Sequence, residues 1–141
     1  WGVSNLDDDD MQELFDVPNG EACASNQVLY NLSRRGIEWS LLPMCRERGM
    51  PIMAYSPIEQ GRILRDRALT DIAKRHNASA AQVALAWLLT QAQVMVIPKA
   101  SDLQHVRENR ASADLVLTAE DRAALDRAFP PPKRKEPLAM L

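Results

Sequence analysis

The chain has 141 residues, 46% hydrophobic and 26% charged, with a formal net charge of −2. This is the composition of one ordinary globular unit, long enough to bury a core. It offers no basic surface for nucleic acid, and no apolar run approaches the ~20 residues that cross a bilayer, so neither nucleic acid nor membrane is an expected partner. The two cysteines, Cys23 and Cys45, lie in apolar segments without metal-type spacing and read as buried thiols in a reducing cytoplasm.

The elements alternate along the chain. Residues 1–4 read as the end of a strand. Because domains seldom start in mid-strand, residues 1–141 are expected to be part of a longer protein, truncated at its N-terminus. Asp7 to Asp10 sit where a helix N-terminus favours negative charge, ahead of Met11, Leu14 and Phe15, so capping is the expected role of these carboxylates, not metal binding. Pro18-Asn19-Gly20 marks a turn, and residues 22–30 form a mostly apolar run suited to a buried parallel strand. Residues 38–48 have helical spacing, with Trp39, Leu41, Leu42 and Cys45 on the buried face, Pro43 in the first turns and Gly49 as the stop. Residues 51–55 are the next strand, and residues 56–66 a polar loop.

Two helices follow. Residues 67–76 bury Leu69, Ile72 and Ala73, and residues 80–90, capped by Ser79, bury Val83, Ala84, Trp87 and Leu88. Residues 94–97 are a short apolar strand. Asp102 caps a helix running to about residue 110, and Thr118-Ala119-Glu120-Asp121 is a capping-box variant opening a last helix to about residue 128. Pro130-Pro131-Pro132 ends regular structure, leaving an extended tail. Strand–helix alternation of this kind implies a parallel sheet with helices outside. Four such units amount to half of an eight-stranded barrel.

In such architectures, functional groups gather where strands end. The four strand ends read Ser4-Asn5, Asn26-Gln27, Tyr55-Ser56-Pro57 and Ile97-Pro98-Lys99. Amides, hydroxyls, one aromatic and one cation at consecutive strand ends make a nucleotide site out of residues that would be unremarkable singly. The same segments, with Gly2-Val3 before the first and Val106-Arg107-Glu108-Asn109 after the last, resemble the aldo-keto reductase family from its fifth barrel strand onward. Residues 30–38 resemble a bacterial subgroup containing methylglyoxal and diketogluconate reductases.

The resemblance implies the C-terminal half of a (β/α)8 TIM barrel and an oxidoreductase that reduces small aldehydes and ketones with NADP(H). Residue by residue, it implies that Ser4, Asn5 and Gln27 hold the nicotinamide carboxamide, since amide and hydroxyl groups both donate and accept. Tyr55 stacks on the nicotinamide ring. Ser56 and Ile58 lie beside the pyrophosphate, and Ile97 beside the nucleotide. Lys99 reaches the adenosine 2′-phosphate, flanked by Ser101 and His105, and Glu108 and Asn109 bond the adenine. Asp102 stands where the family has a small hydroxyl residue, and His105 where it often has Arg, so NAD(H) stays open as an alternative cofactor.

The resemblance places the family's catalytic Asp, Tyr, Lys and His on the second to fourth strands, so none is expected here. Tyr30, Tyr55, His76 and His105 do not match those positions. Two outcomes stay open: the cofactor half of a longer carbonyl reductase, or an inactive half-barrel that self-associates through its open face and strand edges. A redox-sensing binding subunit of the same fold is a weaker third, opposed by the bacterial-type residues 30–38.

Overall fold

The computed structural model describes residues 1–141. One parallel sheet runs β1 (Val3–Ser4), β2 (Asn26–Leu29), β3 (Ile52–Tyr55) and β4 (Val94–Val96), in that spatial order. The helices are α1 (Asp8–Asp16), α2 (Leu41–Glu47), α3 (Arg67–Arg75), α4 (Ala80–Leu89), α5 (Leu103–Ala111) and α6 (Ala119–Ala128). Every crossover between strands passes through a helix, so the four C-terminal strand ends share one rim of the sheet. The order is that of a half-barrel.

Alternation along the strands separates two faces. Val28, Ile52 and Ala54 are fully buried in one cluster with Leu69, Ile72, Val83, Trp87 and Leu88. On the other face Gln27 stands opposite Met53, and Met53 opposite Met95. Helices do not close that face: Met53 and Tyr55 are half-buried, and Met95 is 41% exposed. The sheet edges are β1 and β4.

Capping follows the sequence signals. Asp7 accepts from the Asp9 and Asp10 N–H groups at 3.0 and 2.9 Å, and Asp10 returns the bond to the Asp7 N–H at 3.1 Å. The Asp7, Asp8 and Asp9 carboxylates lie within 4.8 Å of one another. Lys135 pairs with Asp8 and Asp9 at 3.0 and 2.8 Å, tying the C-terminal tail to α1. Ser79 with Gln82, and Thr118 with Asp121, complete reciprocal capping boxes. Asp102 caps α5 through the His105 N–H.

Three expectations are corrected. The run 22–30 is strand only at Asn26–Leu29; a 3-10 turn over Gly20–Ala22 takes up its beginning. The run 38–48 is a 3-10 turn, Gly36–Glu38, followed by α2, with a break at Ser40. That break shifts the angular phase, so Trp39 leaves the buried face and is 49% exposed, while Leu41, Leu42 and Cys45 stay inside. The expected polar loop 56–66 is mostly a kinked 3-10 segment, Glu59–Arg65, with a buried carboxylate, Glu59.

Candidate functional site

The shared rim carries the predicted residues in two groups. In the first, Ser4 is in register with Gln27, and the Gln27 carbonyl accepts from both the Asn5 N–H and the Ser4 hydroxyl at 2.9 Å. Asn5 has a left-handed backbone, φ 56°, as Asn tolerates better than most residues. The Gln27 amide nitrogen lies 3.1 Å from the Met53 sulfur. Tyr55, two residues beyond Met53, extends that face to the rim.

One atom here lacks a partner. Asn5 Oδ1 is shielded from solvent and accepts no hydrogen bond. A buried acceptor left this way costs about 1–3 kcal/mol, so a ligand N–H placed there would restore what folding removed. An amide-bearing ring fits this donor set: Asn5 and Gln27 each present an amide, and Ser4 a hydroxyl whose proton is already directed at the backbone. Asn26 Oδ1 is also unpartnered, although its amide nitrogen donates to the Leu6 carbonyl at 2.8 Å and so braces the turn that carries Asn5.

The second group forms a cleft of about 260 Å³ lined by Ser56, Pro57, Ile58, Gln60, Ile97, Pro98 and Lys99. Lys99 bonds the Ser101 hydroxyl, so these two are adjacent. The remaining predicted residues lie outside the cleft lining. His105 is exposed on α5 with its Nδ1 at 2.7 Å from Asp102, which places a carboxylate beside the imidazole. The Glu108 carbonyl accepts from Gln82 and Ser112, while its carboxylate accepts from Gln104 at 2.8 Å. Asn109 lines a separate, smaller hollow with Leu85, Val96 and Pro98.

A larger cleft, about 490 Å³, lies between residues 32–36 and the tail at 128–136. Arg35 is among its lining residues, bonding Glu38, Asp126 and the Phe129 carbonyl, and lying 5.0 Å from the Trp87 ring. Tyr30, fully buried against Trp87, donates to Glu38 at 2.8 Å. Burial, reinforced by the Glu38 charge, pushes the Tyr30 phenol well above its ordinary range, so it is not poised to give up a proton near neutral pH.

A family model described as the aldo/keto reductase family matches residues 1–129. The chain belongs to the aldo/keto reductase family. It is 51% identical over 146 aligned positions to methylglyoxal reductase YeaE of Escherichia coli K12, covering 100% of this chain and 51% of that protein. It is 35% identical to a glyoxal reductase of Bacillus subtilis, over 89% of this chain and 44% of that one. Among solved structures, an aldo/keto reductase of Klebsiella pneumoniae in complex with NADP and acetate superposes with a TM-score of 0.96 at 46% identity, covering 100% of this chain and 52% of the other. The chain thus spans about half the length of the aldo/keto reductases it matches.

Sequence reasoning missed the residues that shape the site without facing a ligand. Asn31 and Glu59 are both buried and bond each other across 28 positions. No local pattern couples them; only the adjacency of the loops after β2 and β3 does.

Proposed function

We propose that residues 1–141 are strands five to eight of an NADP(H)-dependent reductase of small aldehydes and ketones, and supply its cofactor-binding half. The observation that carries this reading is the unpartnered Asn5 Oδ1, set beside Ser4 and Gln27 at a rim that continues into the Lys99 cleft. When bound, a reduced nicotinamide supplies the hydride. The chain's own residues orient it. Asn5, Ser4 and Gln27 fix the carboxamide and hence the rotation of the ring, and Tyr55 covers one face, leaving the other for the carbonyl carbon. Ser56 and Ile58 bound the pyrophosphate, with Ile97 opposite. Lys99 and Ser101 take the 2′-phosphate, with His105 near it, and Glu108 and Asn109 take the adenine. Lys99 favours NADP(H); Asp102 weakens that preference by its charge.

The group that protonates the carbonyl oxygen is not among these residues. In this reading it comes from the half of the barrel that the matched relatives have and this chain does not span. Methylglyoxal and related dicarbonyls are the substrates to try first, since the E. coli relative carries that name.

Calorimetric titration of NADP⁺ and NAD⁺ into the chain tests the cofactor reading; NADP⁺ should bind the tighter, and binding of neither would end it. Oxidation of NADPH with methylglyoxal should not exceed background, and turnover at ordinary reductase rates would place a proton donor within these residues. A second reading, self-association, draws on Met95 and Trp1 exposed beside two unpaired strand edges. Light scattering should then give a dimer, and a monodisperse monomer would remove it.

A further inference from the structure

The segment that walls the Lys99 cleft has an unusual backbone. Ser56, Glu59 and Gln60 have φ of 46°, 48° and 54°, and none is glycine. Side-chain-bearing residues resist this region, and such conformations persist only where the surroundings over-determine them. Here the surroundings do so through one buried carboxylate. Glu59 is 3% exposed. Its Oε1 accepts from Arg34 at 3.0 and 3.2 Å and from Arg62 at 3.2 Å, and its Oε2 accepts from Asn31 at 2.8 Å. The same Asn31 amide nitrogen donates to the Ser56 carbonyl at 2.9 Å, which also accepts from the Glu59 N–H. Asn31 is itself fully buried and fixed by Ser33, whose N–H and hydroxyl both donate to its Oδ1.

We propose that Glu59, with Asn31 and Arg34, is a positioning latch that holds residues 56–61 in the shape that receives a dinucleotide's pyrophosphate. The inference rests on the cofactor reading above. Glu59 touches no ligand. It acts through Ser56, Ile58 and Gln60, which line the cleft opposite Ile97 and Lys99. Its charge is spent on Arg34 and Arg62, so the anion is not offered to the cleft. Burial alone would raise the Glu59 carboxyl, but the bonds from Arg34 and Asn31 outweigh it and hold the group below its ordinary value. The latch is therefore ionised across the neutral range. Because Asn31 and Arg34 come from the loop after β2, the latch also ties the loop bordering the larger cleft to the loop walling the nucleotide cleft.

The test compares the full chain with its Glu59→Gln variant, which keeps the shape and removes the charge. NADP⁺ and adenosine 2′-monophosphate, which lacks the pyrophosphate, are titrated into each, and amide exchange of residues 58–61 is followed without nucleotide. Loss of roughly one charge-assisted bond should weaken NADP⁺ about tenfold. The 2′-monophosphate should bind as before, and exchange at 58–61 should quicken while the strand amides keep their protection. Equal weakening of both nucleotides, or unchanged exchange with unchanged NADP⁺ affinity, overturns the latch. If Glu59→Gln does not fold, Arg34→Gln gives the same comparison, because that side chain is 43% exposed. Failure of the unaltered chain to bind either nucleotide instead overturns the cofactor reading, and with it the pyrophosphate role of the latch.

Discussion

Replacing Asp121 by Ala should be the most damaging change of a single polar side chain. Asp121 is 2% exposed and accepts from Arg75 at 2.6 Å, His76 at 2.7 Å, and the Thr118 N–H and hydroxyl at 3.0 and 2.8 Å. It joins the end of α3 to the start of α6. Losing its part of the capping box costs about 1 kcal/mol. The Arg75 bond adds about 1.5 kcal/mol, at the low end for a charged bond because Arg75 is half exposed and regains water. The His76 bond adds about 1 kcal/mol more. The sum, about 3–4 kcal/mol, lies in the range for breaking a buried ion pair, and should lower the melting temperature by about 10 °C.

The pH dependence of that contribution has a definite sign. Burial opposes ionisation of Asp121, but Arg75, His76 and Thr118 hold its carboxyl far below the ordinary 3.8. Its stabilisation is therefore complete above the unfolded value and fades as pH falls through 3.8 towards the folded one. Urea unfolding followed by circular dichroism at pH 7, 5 and 3 measures it. Between pH 5 and 3 the unaltered chain should lose about 1 kcal/mol that the Asp121→Ala variant does not. A cost below about 1 kcal/mol at pH 7, or identical pH profiles, would refute the reasoning.

Lys99→Met should weaken NADP⁺ by about tenfold or more and leave NAD⁺ unchanged, as loss of a cation facing a phosphate requires. Equal losses for both nucleotides in titration calorimetry would mean that Lys99 does not meet the 2′-phosphate. Asp102→Ser keeps a competent N-cap for α5 while removing the carboxylate beside His105, so it should strengthen NADP⁺ several-fold with the melting temperature nearly unchanged; no gain in NADP⁺ over NAD⁺ argues against repulsion at that position. Burial, with Cys23 nearby adding to it, pushes the Cys45 thiol up to about 11. Neither buried cysteine should react quickly with a thiol-disulfide reagent at pH 8, and both should react in guanidinium; one rapid native equivalent would show that the fold opens at the base of the sheet.

Local signals in the sequence were the ones that transferred to the structure. Ser79, Asp102 and Thr118 cap as their neighbours dictate, because a cap is decided within four residues. Leu69, Ile72 and Ala73 face inward because three- and four-residue spacing fixes a helix face. Trp39 shows where that logic fails: apolar spacing assumes unbroken α geometry, and the 3-10 turn before Ser40 ends that assumption. Ser56, Ile97 and Lys99 could be picked out as strand-end residues, Ile58 only through the family resemblance, and all four line one cleft. Glu59 could not, since a glutamate in a polar loop looks solvated until Asn31 and Arg34 arrive from another crossover.

The sequence by itself therefore determined the parallel strand–helix order, the helix ends and the family, because each depends on neighbours in the chain or on a motif read in order. Tertiary structure decided what required distant segments to meet. It put the Gln27 carbonyl under Asn5 and Ser4, left Asn5 Oδ1 unpartnered at the rim, and buried Glu59 between two arginines and an asparagine. A buried polar atom is defined by everything that excludes water from it, and that enclosure is assembled only when the sheet and its crossovers close together.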